Sequence, residues 1–418
     1  MTERIPLAVV GCGGMGHRHI YGLAELESVG RSPFRLVAAC DLNEANARSL
    51  AEEAERRFGT RPEVAGDLAA LARAAPDLAA VDVCTDPGHH HTIAAEALAR
   101  GWHVMVEKPM GLTVRACQAM EAAAKHTPGR VLAVAENYRR DPINRLARAL
   151  LDAGAIGTPR LCLEQGVGGG DRIIISAWRH QKVGSGLLLD VGVHFADILE
   201  YLLGEITHVY AQTRLHEPIR HRPQEDETGV QGFYARWPLP ETISATAEDA
   251  AYAVLTFRSG AVAQYTVDYA GHGRPFNHRL VYGSAGSLEL PADRKGLPIR
   301  LTTAKGEVYD DARILERVPG FRLDEVTTIL FGEERAWEYG FPFEETDRKI
   351  LAIEYADFGS AIREGGTPEV TAAQGARSVA ISYAILESSC AQQTLAVDDV
   401  LSGRVRAYQR EVDEYLGL

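Results

Sequence analysis

The run from Leu7 to His19, Leu-Ala-Val-Val-Gly-Cys-Gly-Gly-Met-Gly-His-Arg-His, constrains this chain more than any other stretch. An apolar run, Leu7 to Val10, passes directly into Gly11, Gly13 and Gly16 and then into a helix-like segment. A buried parallel strand, a glycine turn and a helix start, in that order, are what a dinucleotide-binding unit needs. Gly11 allows the tight turn, Gly13 lets the backbone approach a pyrophosphate, and Gly16 lets helix and strand pack closely. Gly14 and Met15 belong to the same cofactor-binding turn. The helix N-terminus presents unpaired N–H groups to the phosphates. Glycine-rich turns also reverse chains without binding anything. The strand before this one, its early position and an acidic residue further on favour the binding reading.

That acidic residue is Asp41, at the end of a second predicted strand, Phe34 to Cys40. A carboxylate about 20 to 30 residues after the glycines can accept hydrogen bonds from an adenosine ribose and repels a 2′-phosphate, which predicts NAD over NADP. The alternative is that Asp41 only caps the helix predicted over Asn43 to Phe58. Helices over Leu68–Ala74, His90–Arg100 and Thr113–His126 alternate with strands over Ala79–Cys84, His103–Val106 and Val131–Ala135. Such alternation predicts a doubly wound parallel sheet, with ligands at the carboxyl ends of its strands. Thr85, Glu107-Lys108-Pro109 and Asn137-Tyr138-Arg139 all fall at those ends. His89, His90 and His91 are adjacent and have no carboxylate or cysteine spaced to complete a metal site, so no metal is expected.

With 418 residues, two domains are expected. The divisions predicted are an NAD-binding Rossmann domain over 1–136 and an α+β substrate-binding and oligomerisation domain over 137–418. The net charge of −13 argues against nucleic acid or an anionic membrane as partner. No apolar run approaches the ~20 residues that span a bilayer. The first strand begins almost at once, which predicts no signal peptide and a cytoplasmic protein. Six scattered cysteines without a C-x-x-C pair are expected to be reduced, buried thiols.

Beyond residue 137, a helix over Pro142–Ala153 and a strand over Arg160–Gln165 are followed by Gly186-Leu-Leu-Leu-Asp190-Val-Gly-Val-His194. Strand-like runs over His208–Arg214, Ala251–Phe257, Val262–Tyr269, His278–Tyr282 and Ser287–Leu290 predict an antiparallel sheet. Two closing helices are expected, over Lys349–Arg363 and Ala373–Gln392. Leu215–Thr246 and Ala304–Glu344 show no periodicity and are expected to be long loops that set the substrate.

The glycine turn, Glu107-Lys108-Pro109, Asn137-Tyr138-Arg139, Trp178-Arg179 and Asp190-x-Gly-x-His194 together resemble the glucose–fructose oxidoreductase/inositol dehydrogenase/MocA family. His90 falls where the family's histidine stands, although here Asp86 precedes Pro87. The resemblance implies an open, mostly antiparallel sheet in the second domain, with one face often an oligomer interface, dimeric or tetrameric. It also implies that the closing part of the chain packs back near the first domain. The implied cofactor-binding set is completed by Thr85, His90, Glu107, Lys108, Asn137, Trp178 and Arg179.

Asp190 and His194 are four apart, so on one helix they would share a face. Imidazole titrates in the range suited to taking a hydroxyl proton near neutral pH. Leaning on the family, His194 is expected to be the general acid/base, with Asp190 and Lys108 as partners meeting it across the nicotinamide. Without that resemblance, His194 reads as a core histidine. Substrate-binding candidates are Lys108, Tyr138, Arg139, Arg172, Arg179, His180, Asp190 and His194. They suit a sugar or cyclitol, and the excess of cations, which includes Arg220, His221 and Arg222, permits an anionic one. The expected activity is NAD-dependent oxidation or reduction at a secondary hydroxyl or ketone. Two alternatives share these residues: an NAD-dependent glycoside hydrolase working by transient oxidation, and a non-catalytic NAD-binding regulator.

Overall fold

The computed structural model describes residues 3–223 and 238–418. The chain forms two compact units, Met1–Asn137 with Glu344–Ala376, and Tyr138–Phe343 with Arg377–Leu418. The sequence suggested a break after residue 136, with closing helices packing back near the first domain; residues 344–376 belong to the first unit.

In the first unit, β1 (Ile5–Val10), β2 (Phe34–Cys40), β3 (Glu63–Ala65), β4 (Ala80–Val83), β5 (His103–Glu107) and β6 (Leu132–Ala135) form one sheet. All pairs are parallel, in the order β3-β2-β1-β4-β5-β6. The order reverses beside β1, and the glycine turn leaves from the end of that strand, which is where open α/β sheets bind ligands. Helices α1 (Gly14–Ser28), α2 (Glu44–Phe58), α3 (Leu68–Ala74), α4 (His90–Ala99) and α5 (Val114–His126) connect the strands. Each forms where the sequence supplies an apolar stripe and an end signal. In α2, Ala47, Leu50, Ala51 and Ala54 are buried, the Asn43 side chain caps the start, and Gly59 ends it in a left-handed turn. The helix Phe343–Glu364 completes this unit. Its Tyr355 lies 5.9 Å edge-on from both the Phe34 and His19 rings, and Phe358 stacks on Phe34 at 5.5 Å. Next to it in sequence, Val370 accepts a hydrogen bond from the Val134 N–H at 3.1 Å, closing the β6 edge.

The second unit is built on a nine-stranded sheet. Its strands are β7 (Pro159–Val167), β8 (Ile206–Arg214), β11 (Ala250–Phe257), β12 (Val262–Asp268), β13 (Phe276–Gly283), β14 (Gly286–Leu290), β15 (Arg300–Thr303), β16 (Val308–Tyr309) and β17 (Leu395–Ala396). The order is β16-β15-β14-β13-β7-β12-β11-β8-β17, and β7 and β12 pair in parallel while the other pairs are antiparallel. Burial alternates along the strands as one covered face requires. Val209 and Ala211 are buried, while Tyr210, Tyr252, Val254 and Tyr282 stay exposed on the other side. A separate hairpin, β9 (Ile219–His221) with β10 (Thr242–Ser244), occupies part of the expected loop Leu215–Thr246. Residues 224–237 of that loop lie outside the described residues. The other expected loop, Ala304–Glu344, contains β16, a 3₁₀ helix at Ala312–Arg317 and a short helix at Glu325–Phe331. Helix α6 (Pro142–Asp152) starts at an Asp141 cap with proline in its first turn. The Asp190–His194 stretch is not one helix: α7 (Leu187–Asp190) and α8 (Gly192–Leu203) are separated at Val191. Five cysteines are buried free thiols, but Cys390 is exposed.

Candidate active site

The carboxyl end of the first unit's sheet holds a cleft of about 440 Å³ walled by Gly11, Gly13, Asp41, Leu42, Asp67 and Thr85 among others. The three glycines stand there for different reasons. Gly11 has φ +94°, and a Cβ on it would sit 2.6 Å from the Thr85 nitrogen. A Cβ on Gly16 would lie 2.3 Å from the Gly11 carbonyl oxygen, so any side chain there would push α1 off β1. A Cβ on Gly13 would meet nothing within 4 Å; its space opens outward, where a ligand backbone could approach. Asp41 is oriented by two backbone donors: the Cys12 N–H reaches Oδ2 and the Asn43 N–H reaches Oδ1, each at 2.8 Å. The cap of α2 is Asn43, whose side chain accepts from the Ala45 N–H, so Asp41 is not that helix's cap. Beside it Leu42 is 88% exposed, an apolar surface set against a carboxylate.

A dinucleotide fits this chemistry. The turn supplies N–H groups and partial positive charge, Asp41 keeps acceptor lone pairs for ribose hydroxyls, and Leu42 offers an apolar wall for a base. Asn137, buried at the end of β6, leaves its side-chain oxygen without a hydrogen-bond partner among the described residues. A buried amide oxygen in that condition calls for a donor from outside the protein.

Other residues expected to touch the cofactor are engaged with groups of the protein itself. His90 is fully buried, and its ring nitrogens lie 3.0 Å from the Pro109 carbonyl and 3.1 Å from the Thr85 carbonyl. Burial holds its pKa below the ordinary value despite those carbonyls. The neutral ring carries one N–H and so donates to one of these carbonyls, in the loop after β4 or the loop after β5. His89, by contrast, is exposed and pairs with Asp86, so the three adjacent histidines do not converge. Glu107 is buried against His19, whose other nitrogen faces Asp82; the distances are 2.9 and 2.8 Å. The Tyr355 hydroxyl donates to Asp82 as well. Burial alone would push the His19 ring down, but the Asp82 charge and hydrogen bond outweigh it and hold the ring well above its usual pKa. Among the described residues, the donor atoms of His19, Asp82 and Cys84 are mutually within 4.8 Å. Both His19 nitrogens already face carboxylates, so the group reads as a hydrogen-bond network. Lys108, half-buried, follows Glu107 directly. Gly14 and Met15 open α1, and Met15 sulfur accepts from Arg18.

In the second unit, Asp190 at the end of α7 accepts from Arg179 Nε at 2.8 Å, with both residues buried. Arg179 also donates to Ser176 and lies 4.3 Å over the Trp178 ring. His194, in the first turn of α8, is stacked face to face on Tyr138, with ring centroids 4.3 Å apart and 3° between planes. The break at Val191 leaves Asp190 and His194 on different helices, although His194 N–H still reaches back to the Val191 carbonyl at 3.1 Å.

The cations that suggested an anionic ligand are largely neutralised where they lie. Arg139 forks onto Asp197, and Arg220, fully buried, pairs with Asp249 at 2.7 Å. Arg172 donates to the Gly169 carbonyl at 2.8 Å. His180 accepts from the Ile174 N–H at 2.9 Å, and burial with the nearby Arg220 charge lowers its pKa to about 4. His221 and Arg222 are exposed. Asp197 and Arg294 were absent from the sequence candidates. Asp197 stands one turn after His194, a spacing that could have signalled it. Nothing in the sequence marks Arg294, which lies 5.1 Å over Tyr138.

Among the described residues, no helix is long and apolar enough to cross a membrane. Two family profiles match the chain: "Oxidoreductase family, NAD-binding Rossmann fold" over residues 5–135 and "GFO/IDH/MocA C-terminal domain" over residues 144–289. Levoglucosan dehydrogenase of Pseudarthrobacter phenanthrenivorans is 30% identical over 420 residues, covering 95% of this chain and 99% of that protein. A solved levoglucosan dehydrogenase in complex with NADH and levoglucosan superposes with a TM-score of 0.72 at 26% identity, over 94% of this chain and 100% of that one. An oxidoreductase domain protein from Kribbella flavida gives 0.74 at 25% identity, over 95% and 100%. Profiles over both halves and a full-length relative at this identity make the chain a member of the Gfo/Idh/MocA family of NAD-binding oxidoreductases.

Proposed function

We propose that this protein is an NAD-dependent dehydrogenase acting on a secondary hydroxyl of an uncharged sugar or cyclitol, with His194 as the general acid/base. The carrying observation is the fixed placement of His194: its ring lies flat on Tyr138 while Asp190, four residues earlier, is held by Arg179. The bound nicotinamide supplies the two-electron chemistry. His194 takes the hydroxyl proton on oxidation and returns it on reduction. Asp190 stands four residues before it, and Arg179 keeps that carboxylate from turning away. Lys108 offers positive charge to the substrate oxygen as its own charge changes. Arg139, Arg179 and Arg220 are each paired with an aspartate, which supports an uncharged polyol. Relatives named for levoglucosan, inositol and apiose support the same class. The open sheet face carrying Tyr210, Tyr252 and Tyr282 supports association between copies of the chain.

The test is a panel of neutral sugars, cyclitols and matched sugar acids assayed for NADH formation. Net NADH from a neutral member is expected, and sugar release without NADH would instead indicate hydrolysis. His194→Ala should lose about 100- to 10,000-fold in kcat while still binding NAD. Turnover at the unmodified rate would remove His194 from the mechanism.

A further inference from the structure

The stack under His194 has a support of its own, built from residues far apart in sequence. Tyr138 is buried, with the His194 ring 4.3 Å away face to face and the Phe195 ring 6.4 Å away edge-on. The Arg294 guanidinium lies 5.1 Å from the Tyr138 ring centre and 5.0 Å from that of Phe343. Arg294 has φ +62°, a left-handed conformation that a non-glycine residue holds only where its surroundings impose it. Those surroundings are visible. The Arg294 N–H donates to Asp141 Oδ2 at 2.8 Å, and the Tyr339 hydroxyl donates to the same oxygen at 3.1 Å. Asp141 is itself fixed as the cap of α6, its Oδ1 accepting from the Ile143 N–H at 3.0 Å. Two residues past Arg294, the Gly296 carbonyl accepts from the Tyr339 N–H at 2.8 Å, and a Cβ on Gly296 would lie 2.1 Å from the Tyr339 carbonyl oxygen.

We infer that Tyr138 is the positioning residue of His194, and that Arg294, clamped by Asp141 and the Tyr339 segment, holds Tyr138 in place. A histidine that takes a proton must present one nitrogen along one direction, and a ring free to rotate about χ2 does not. Face-to-face contact with a second buried ring removes that rotation. A guanidinium over an aromatic face adds an attractive contact that a neutral side chain lacks. The segment 294–343 thus acts on the chemistry through a ring stack and need not touch substrate. This rests on the reading of His194 as the acid/base, and the tests separate the two.

Three measurements suffice. First, the ring-proton resonances of His194, assigned by comparison with His194→Ala, should be displaced by the Tyr138 ring current. They should lose that displacement in Tyr138→Leu and keep it in Tyr138→Phe, whatever the role of His194. Second, Tyr138→Leu should lower kcat about 10- to 100-fold, the scale of a small misplacement of a catalytic group, with little change in KM for NAD or sugar. Tyr138→Phe should recover most of the loss, and Arg294→Met should give a partial loss of the same kind. Third, Tyr138→Leu should add nothing to His194→Ala. A raised KM at unchanged kcat would make Tyr138 a substrate contact and overturn the inference. So would an unmoved His194 resonance, or full additivity of the two substitutions. A fully active His194→Ala would overturn the acid/base assignment instead, and with it any catalytic consequence of the stack.

Discussion

Replacing Asp41 by asparagine tests the cofactor cleft with almost no change of shape. The carboxylate receives the Cys12 and Asn43 N–H groups at 2.8 Å each, one on each oxygen. Each oxygen keeps capacity to accept a ribose hydroxyl. A hydrogen bond to a charged acceptor contributes about 1.5–3 kcal/mol. A 2′-phosphate in the hydroxyl's place would put like charges at ~4 Å, costing ~4 kcal/mol at an effective dielectric near 20. Salt and the half-exposed position reduce that cost to roughly half. Together these give about 4 kcal/mol, a preference for NAD over NADP of about 1000-fold in kcat/KM. Asparagine keeps one acceptor oxygen and removes the charge, so the preference should fall to about 10-fold or less, with KM rising for NAD and falling for NADP. The assay is initial rates with both coenzymes at saturating sugar, with thermal unfolding as the control, since one backbone N–H loses its acceptor. An unchanged preference in Asp41→Asn, or a native enzyme that prefers NADP, would refute the ribose assignment.

Two further predictions concern residues that the sequence offered as ligand contacts. His180 has its pKa lowered to about 4 by burial and the Arg220 charge. Its neutral ring therefore stabilises the fold fully above the unfolded value of about 6.5, and that contribution, at most about 3 kcal/mol, is lost as pH falls from 6.5 towards 4. Denaturant unfolding of the native protein and His180→Gln at pH 7 and pH 5 should show the gap between them closing at the lower pH; parallel changes would show that His180 is not responsible. Arg220→Met leaves Asp249 buried without its cation. Asp249 keeps the His216 and Glu217 N–H groups at 2.8 and 2.9 Å, so the cost should sit near 3 kcal/mol, the low end for a broken buried pair. KM for sugars should be unchanged in the folded variant, and a selective loss of acidic sugars would restore Arg220 as a ligand contact.

The parallel sheet was legible because its signals are local. Phe34–Cys40 and Leu68–Ala74 are bounded as the apolar pattern and end residues indicate. The edge strand Glu63–Ala65 was missed because three residues carry no alternation. The break at Val191 escaped because four-residue spacing alone says nothing of helix continuity. What the arginines do was not legible, because pairing is tertiary: Arg139 and Asp197 are 58 residues apart, Arg220 and Asp249 are 29. Composition counts cations without saying which are already matched. The glycine turn could be read residue by residue because each glycine answers to a steric demand within a short stretch.

The return of residues 344–376 to the nucleotide-binding unit bears on how that unit comes into being. Its sheet is complete by residue 135, yet the side chains that cover Phe34 and pair with Arg18, and the backbone that seals the last strand, arrive more than 200 residues later in the chain. A fragment cut at Asn137 would expose an unroofed apolar surface and an open strand edge, a combination that invites aggregation. A ribosome making this protein must likewise carry the early strands unfinished until the distant helix emerges. Swapping the cofactor module between relatives therefore means transplanting two pieces of chain.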